Sequence, residues 1–279
     1  MTVRTSTSGE ASSSRNWLFM GVAVLLTIAA GIGTFMWQSG GMIPSTGGEA
    51  AQDANAAATA AGFDTKDKAA IEAIVRAYIL ENPEIIPEAV QKLQGKQAAN
   101  RIASVRSEVE KPFAAAFAGN PDGDIVLAEY SDFACGFCRQ SVSDVARLVS
   151  EDKNLKIVFH ELPILSDESR LAAAWGLAAA QQGKYYAFYK AMFGAGRPSQ
   201  ATIEQAAKTA GLDIAAARSF AATKQADEVI DANIRIAQQL EFSGTPSWVV
   251  GNKVLNGAVG YDELKSAIDE ARAAKKAVG

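Results

Sequence analysis

Cysteine and histidine are almost missing from this chain of 279 residues, which carries two cysteines, Cys135 and Cys138, and one histidine, His160. Closed zinc coordination needs about four ligands of that kind, so a structural zinc site within one chain is excluded. A disulfide framework is excluded as well, because only one pairing exists. That pairing makes a poor structural staple, since closing so short a loop removes little chain entropy. Basic excess is also lacking: 27 Lys and Arg face 31 Asp and Glu, for a formal net charge of −4. Without a Lys/Arg cluster nothing points to nucleic acid.

What is present is Cys135-Gly136-Phe137-Cys138. If a helix begins at the first cysteine, its free N–H groups and dipole favour a thiolate there. The second cysteine then lies one turn deeper, placed to attack a mixed disulfide formed by the first. That spacing suits thiol–disulfide exchange, and the disulfide itself carries the electrons, so no metal or organic cofactor is expected.

One long apolar run stands near the start. Residues 17–37, from Trp17 to Trp37, hold no charge. At about 1.5 Å per residue the run spans roughly 30 Å, the thickness of a bilayer core, with tryptophan at both ends to suit the interfaces. Arg4 and Arg15 precede it, and no Lys or Arg follows until Lys66. The positive-inside rule then keeps residues 1–16 in the cytoplasm and exports the rest. A cleaved signal peptide is the rival reading, but its apolar region is usually about 7–15 residues, and Phe35-Met36-Trp37-Gln38 is a poor cleavage site. The expectation is an uncleaved anchor.

Residues 38–63, with Ser39-Gly40-Gly41, Gly47-Gly48 and an alanine-rich stretch without an apolar face, read as a flexible linker. Residues 64–119 read as a helical region. Ile71, Ile74, Val75 and Tyr78 form one amphipathic stripe, and Asn82-Pro83 interrupts it. A longer helix then starts near Pro83 or Pro87. Ile86, Val90 and Leu93 keep a coiled-coil spacing, which Ile102, Val105 and Val109 resume in a shifted register after Gly95 and Gln97. These helices either dock on the following domain or self-associate into a homo-oligomer; the sequence leaves both open.

From Asn120 the pattern changes. Asn120-Pro121-Asp122-Gly123 is a turn, and Ile125 to Tyr130 a buried strand. Cys135 follows, then an amphipathic helix with Val142, Val145, Leu148 and Val149, then the strand Leu155–Phe159. This is a βαβ unit with parallel strands, the context in which CxxC reads as thioredoxin-like. Residues 164–242 carry alanine-rich helical patterns with caps at Ser166, Ser199 and Asp213 and a stop at Gly211. The aromatics from Tyr185 to Phe193 are read as the core of this insertion. Ser247–Val250, a turn at Gly251-Asn252, Lys253–Leu255 and a helix from 261 to 275 close the domain.

This order resembles the DsbA family of exported thioredoxin-fold oxidoreductases, on Glu129-Tyr130-Ser131-Asp132-Phe133-Ala134-Cys135-Gly136-Phe137-Cys138 and on Gly244-Thr245-Pro246-Ser247-Trp248. The fold class is therefore α/β: a thioredoxin fold over residues 120–279 with a large helical insertion, preceded by a transmembrane helix and an α-helical region. The stretch Asn82-Pro83-Glu84-Ile85-Ile86-Pro87-Glu88-Ala89-Val90 is similar to the N-terminal helical region of ScsC-type proteins, some of which oligomerise through it. Gly with an aromatic inside CxxC, and Thr before the proline, also resemble the DsbC-type isomerases, although those dimerise through a different N-terminal domain.

The resemblance implies Cys135 as nucleophile and Cys138 as resolving thiol. It implies that Pro246 is a cis-proline which, with Thr245, Gly136 and Phe137, meets the substrate. Glu129 takes the position of a buried acid under the active site; desolvation would raise its pKa and let it exchange a proton with Cys138. His160, outside the CxxC, is read as structural, and without a cation in the motif Cys135 is expected to be less acidic than in the strongest oxidases. The implied partners are exported proteins with thiols or disulfides and a membrane redox partner, at a bacterial inner membrane with the catalytic domain in the periplasm. Isomerase and net monomeric oxidase stand close, and a non-enzymatic chaperone or copper-binding module is the reading from another class.

Overall fold

The computed structural model describes residues 46–278, which divide into two compact units with the break between Asn82 and Pro83. The expected membrane anchor at 17–37 and the tail at 1–16 lie outside the described residues. Among those described, no helix is long and apolar enough to cross a membrane.

The first unit holds two helices, α1 (Thr46–Ala60) and α2 (Thr65–Glu81). Most of the stretch expected to be flexible linker is thus helical. Alanine has the best intrinsic helix propensity, and that suffices for a helix with no packed face. Asp64 starts α2 by a capping box: its carboxylate accepts the Asp67 N–H, and the Asp67 side chain accepts the Asp64 N–H. No residue of α2 is buried, and Ile71, Ile74, Val75 and Tyr78 are all exposed.

In the second unit a five-stranded sheet has the order β1-β3-β2-β4-β5, from β1 (Phe117–Gly119), β2 (Ile125–Ser131), β3 (Leu155–Glu161), β4 (Ser247–Val250) and β5 (Lys253–Asn256). As expected, β2 and β3 are parallel, Leu127 opposite Ile157 and Glu129 opposite Phe159. β4 runs antiparallel to β2, with Glu129 opposite Trp248. β1 adds an antiparallel edge to β3; it precedes the expected start at residue 120, and Phe-Ala-Gly is too short to show an alternation. Both faces of β2 and β3 are covered, so their residues are buried almost without alternation.

One face carries α4 (Gly136–Glu151), α10 (Tyr261–Val278) and part of the helical insertion, α5 (Asp167–Gln181), α6 (Tyr185–Gly194), α7 (Gln200–Thr209), α8 (Ile214–Ala221) and α9 (Lys224–Gln239). Leu127, Ile157, Phe159 and Trp248 meet Val145, Leu148, Tyr189 and Leu264 there. Fully burying an aliphatic or aromatic side chain of this size stabilises the fold by roughly 1.5–3 kcal/mol. The expected caps Ser166, Ser199 and Asp213 each accept the N–H of the third residue onward, and Gly211, at φ +72, follows the end of α7.

The opposite face is covered by α3 (Ile85–Glu110) and the end of α9. α3 continues through Gly95 and Gln97, where the heptad changes register. The two registers have different environments: Ile102, Val105 and Val109 pack with Ala128, Tyr130, Leu240 and Val249, whereas Ile86, Val90 and Leu93 are exposed. His160 fixes the docked half structurally. Its Nε2 lies 2.8 Å from the Val109 carbonyl, and its ring stacks on Tyr130 at 4.5 Å.

Candidate active site

The chain leaves the core at Ser131 and turns into α4 through Asp132-Phe133-Ala134. Asp132 shapes that turn. Its Oδ1 accepts the Ala134 N–H at 2.8 Å, and its main-chain carbonyl accepts the Cys135 N–H at 2.9 Å. Its Oδ2 accepts the Ile164 and Leu165 N–H groups at 2.9 and 3.0 Å, which ties the loop after β3 to the turn before Cys135. Phe133 is buried among Phe188, Tyr189 and Phe193, so one side of the turn is anchored by packing and the other by polar bonds.

Cys135 is the N-cap of α4. Its Sγ accepts the Cys138 N–H at 3.4 Å, the cap position in which a thiolate meets unpaired amides. The Cys135 thiol is held well below its ordinary value, at about 5: the Cys138 thiol bonds to it first, burial opposes, and Thr245 and the N–H groups of Cys138 and Phe137 lower it further. That falls inside the roughly 3.5–7.5 range of reactive cysteines at helix N-termini and above the roughly 3.5 of the strongest oxidases. Cys138 lies one turn deeper with no exposure, and burial followed by the bond to Cys135 pushes its thiol up. Both sulfurs are buried, but their surroundings push them apart: those of Cys135 favour the thiolate and those of Cys138 the thiol.

The other expected residues divide into floor and rim. The Thr245–Pro246 peptide is cis, with Pro246 buried and Thr245 partly exposed. The Thr245 carbonyl accepts from the Cys135 thiol at 3.2 Å. The cis-proline loop is therefore in contact with Cys135. Gly136 has open space around it, and Phe137 is 63% exposed; both flank Cys135 on the solvent side.

Glu129 lies beneath, fully buried on β2. Burial pushes its carboxyl up to about 8, the Tyr189 hydroxyl opposes, and the Cys135 charge adds to the rise. Tyr189 donates to Oε1 and Oε2 at 3.2 and 3.1 Å, and the Glu129 charge in turn raises Cys138. A carboxyl that titrates near neutrality beside a buried thiol can give that sulfur a proton or take one.

Four polar groups of this layer escaped the sequence reading. Asp132 stood inside the quoted motif without a role. Glu161, Tyr185 and Tyr189 are fully buried beside Glu129, and Tyr185 donates to Glu161 Oε1 at 2.8 Å. Tyr185 and Tyr189 stand four residues apart, one helical turn, which was the available signal. Among the described residues no group of three or more His, Cys, Asp or Glu is arranged to hold a metal ion.

A thioredoxin-type sheet, a CxxC at a helix start, a cis-proline opposite it and a helical insertion define a thioredoxin-fold protein. Residues 126–269 match the DSBA-like thioredoxin domain, and residues 67–100 match the copper resistance protein ScsC N-terminal domain. The chain belongs to the DSBA-like thioredoxin family and carries a ScsC-like N-terminal region. It is 37% identical to a thioredoxin-like oxidoreductase from Silicibacter pomeroyi DSS-3, over 58% of this chain and 94% of that one, with a TM-score of 0.55. Two further structures share the fold. The catalytic domain of Proteus mirabilis ScsC is 22% identical over 63% of this chain and 98% of its own, with a TM-score of 0.57. The thiol-disulfide exchange protein α-DsbA2 from Wolbachia pipientis is 22% identical over 64% of this chain and 97% of its own, with a TM-score of 0.60. A Na(+)/H(+) antiporter NhaA 1 of Salinispora arenicola is 24% identical over 156 residues, 55% of this chain but 24% of the antiporter. The chain thus spans about a quarter of the length of the curated relatives it matches.

Proposed function

We propose that this protein is a membrane-anchored, periplasm-facing thiol–disulfide oxidoreductase acting on exported proteins through Cys135 and Cys138. One observation carries the reading: an acidified cysteine at a helix N-cap stands over a buried, protonated cysteine that has a near-neutral carboxyl beside it.

In the oxidising direction a substrate thiolate attacks Cys135 of the Cys135–Cys138 disulfide. The sulfur–sulfur bond breaks, a mixed disulfide forms on Cys135, and Cys138 leaves as a thiolate that takes the Glu129 proton. A second substrate thiolate then attacks the substrate sulfur and expels Cys135, a good leaving group because its thiolate is stabilised. The substrate loses two electrons and the protein gains them, so a membrane redox partner must remove them. In the isomerising direction the Cys135 thiolate attacks a wrong substrate disulfide, forming a mixed disulfide and releasing one substrate thiolate. Another substrate thiolate then attacks the substrate sulfur of that mixed disulfide, closing a new bond and expelling Cys135 without net electron transfer. Thr245 and Pro246 with Gly136 and Phe137 line the place where the substrate strand approaches.

Residues 17–37 are assigned as a single-pass anchor in a bacterial inner membrane, on their length, lack of charge and basic flank. The exposed apolar stripe of α2 and the first half of α3 supports a homo-oligomer through the ScsC-like region, and several sites around one cleft favour isomerisation. The test is reactivation of a scrambled-disulfide substrate by the full chain under reducing conditions. Recovery that is lost on removing residues 1–100 but kept on removing residues 1–63 identifies an isomerase whose helical region assembles the active species. Rapid oxidation of a reduced substrate without such recovery identifies a net oxidase.

The match of residues 67–100 to a copper resistance protein domain is the reason to weigh a copper-binding module. Two-sulfur coordination of Cu(I) needs both cysteines as thiolates, and burial of Cys138 opposes that. Tight Cu(I) binding without disulfide turnover would reverse this preference.

A further inference from the structure

Glu161 has no part in the exchange steps, yet the chain makes room for it. Gly176 lies within the alanine-rich helix α5, where a Cβ would stand 2.3 Å from Glu161 Oε1 and 3.2 Å from its Cδ. Glycine is a poorer helix former than alanine, so the space is kept against local propensity. Into it Tyr185 donates its hydroxyl at 2.8 Å.

The sheet register explains the arrangement. Glu129 is opposite Phe159, and Ser131 is opposite Glu161, so Glu129 and Glu161 are diagonal neighbours on one face of adjacent strands. Above that face Tyr185 and Tyr189 stand one turn apart on α6, and each phenol meets one carboxyl. The Phe159 ring packs against both, at 5.1 Å from Tyr185 and 4.7 Å from Tyr189. The two bonds differ in quality. Tyr185–Glu161 lies within the usual O–H···O range, whereas Tyr189 to Glu129, at 3.1 and 3.2 Å, stands beyond its long end. The rest of the contact is apolar and non-directional, so a slide of α6 by a few tenths of an ångström would break the long pair.

We infer that Glu161 and Tyr185 are a positioning pair: they fix where α6 sits on the sheet and thereby hold the Tyr189 hydroxyl on Glu129. The inference rests on the proposed role of Glu129. The titratable groups facing Glu129 are Cys135 and Cys138 from α4, Tyr185, Tyr186 and Tyr189 from α6, and Glu161 from β3, with Asp132 beside Glu161. Burial raises Glu161 well above the usual carboxylate range, and Glu161→Leu deletes the acceptor of the Tyr185 hydroxyl.

The experiment follows the pH dependence of mixed-disulfide resolution by Cys138, together with the infrared carboxyl band of Glu129, in the full chain. Glu129→Gln assigns the band and tests the underlying role. Losing the bond in Tyr189→Phe should move the Glu129 midpoint up by about one pH unit. Tyr185→Phe and Glu161→Leu should both move it in the same direction by less, and Tyr185→Phe/Tyr189→Phe no further than Tyr189→Phe alone. A lower Tm with an unmoved midpoint in Tyr185→Phe and Glu161→Leu makes the pair merely structural and overturns the inference, as do additive shifts. If Tyr185→Phe does not fold, Glu161→Leu decides. If Glu129→Gln leaves the kinetic profile unchanged, the proton role of Glu129 is wrong, and the infrared band alone still decides whether Tyr185 acts on it.

Discussion

The Sγ of Cys135 lies 3.2 Å from the carbonyl oxygen of Thr245, the residue before Pro246. A carbonyl only accepts, so this contact suits the Cys135 thiol and is lost when the sulfur ionises. The acidity of Cys135 then comes from its donors, first the Cys138 thiol and, after it, the Thr245 side chain and the N–H groups of Cys138 and Phe137.

Cys138→Ala removes that donor. In wild type, an ultraviolet thiolate titration of the dithiol protein should give a midpoint near 5 for Cys135 and no second thiolate in the same range. A hydrogen bond to a charged group contributes about 1.5–3 kcal/mol, so Cys138→Ala should raise the midpoint by roughly one to two pH units. An unchanged midpoint would mean that the helix N-terminus alone acidifies Cys135.

In the proposed mechanism Glu129 links activity and stability with opposite signs. Its carboxyl is raised from 4.5 to about 8, so the fold accepts the neutral form. Its contribution is fully present below pH 4.5 and lost as pH rises through 8. Glu129→Gln cannot ionise. In denaturant unfolding of the dithiol form it should match wild type near pH 4.5 and exceed it by a few kcal/mol, roughly, above pH 8. Resolution of the mixed disulfide should slow by about 100-fold in the same variant. A variant that resolves at the wild-type rate would remove Glu129 from the chemistry.

The sequence shows the Cys135 N-cap, the βαβ order and the caps of the insertion because each has a local signature: a spacing, a period or a Ser/Asp before an apolar run. Glu129 is visible as a charge inside an apolar strand. Glu161 carries the same signal in Val158-Phe159-His160-Glu161, but it stands at a strand end, where a polar residue ordinarily meets water. Tyr185 and Tyr189 read as core because their rings are core; only the sheet register, a relation between distant segments, shows that their hydroxyls meet carboxyls. The role of Asp132 is hidden likewise, since two of its donors are the backbone amides of Ile164 and Leu165. α1 shows the limit of the composition argument: alanine without an apolar face reads as linker, yet it forms a helix.

Gly176→Ala tests whether the room for Glu161 is needed. On propensity alone the change would stabilise α5 by roughly 1 kcal/mol. The new Cβ, however, would fall 2.3 Å from Glu161 Oε1 and 3.3 Å from the Phe133 ring. Both neighbours are buried, so relief requires shifting packed atoms, at a cost of about 1–3 kcal/mol. The expected net result is a lower Tm; a rise would show that Glu161 can move aside freely.

The last prediction separates the two halves of α3. Ile102 is fully buried against the sheet, whereas Leu93 is 55% exposed on the same helix. Ile102→Ala should destabilise the catalytic unit by about 2–4 kcal/mol, because a cavity remains where the side chain was. Leu93→Asp removes nothing from that core, so the denaturation midpoint of the catalytic unit should hardly move. If the stripe of Ile86, Val90 and Leu93 packs against copies of itself, the same charge would sit in an apolar seam. Sedimentation equilibrium should then show an oligomer for wild type and a smaller species for Leu93→Asp, with exchange on a small disulfide unaffected. A wild-type chain that sediments as a monomer at micromolar concentration would end the oligomer reading. It would leave the first half of α3 as a spacer ahead of the thioredoxin domain.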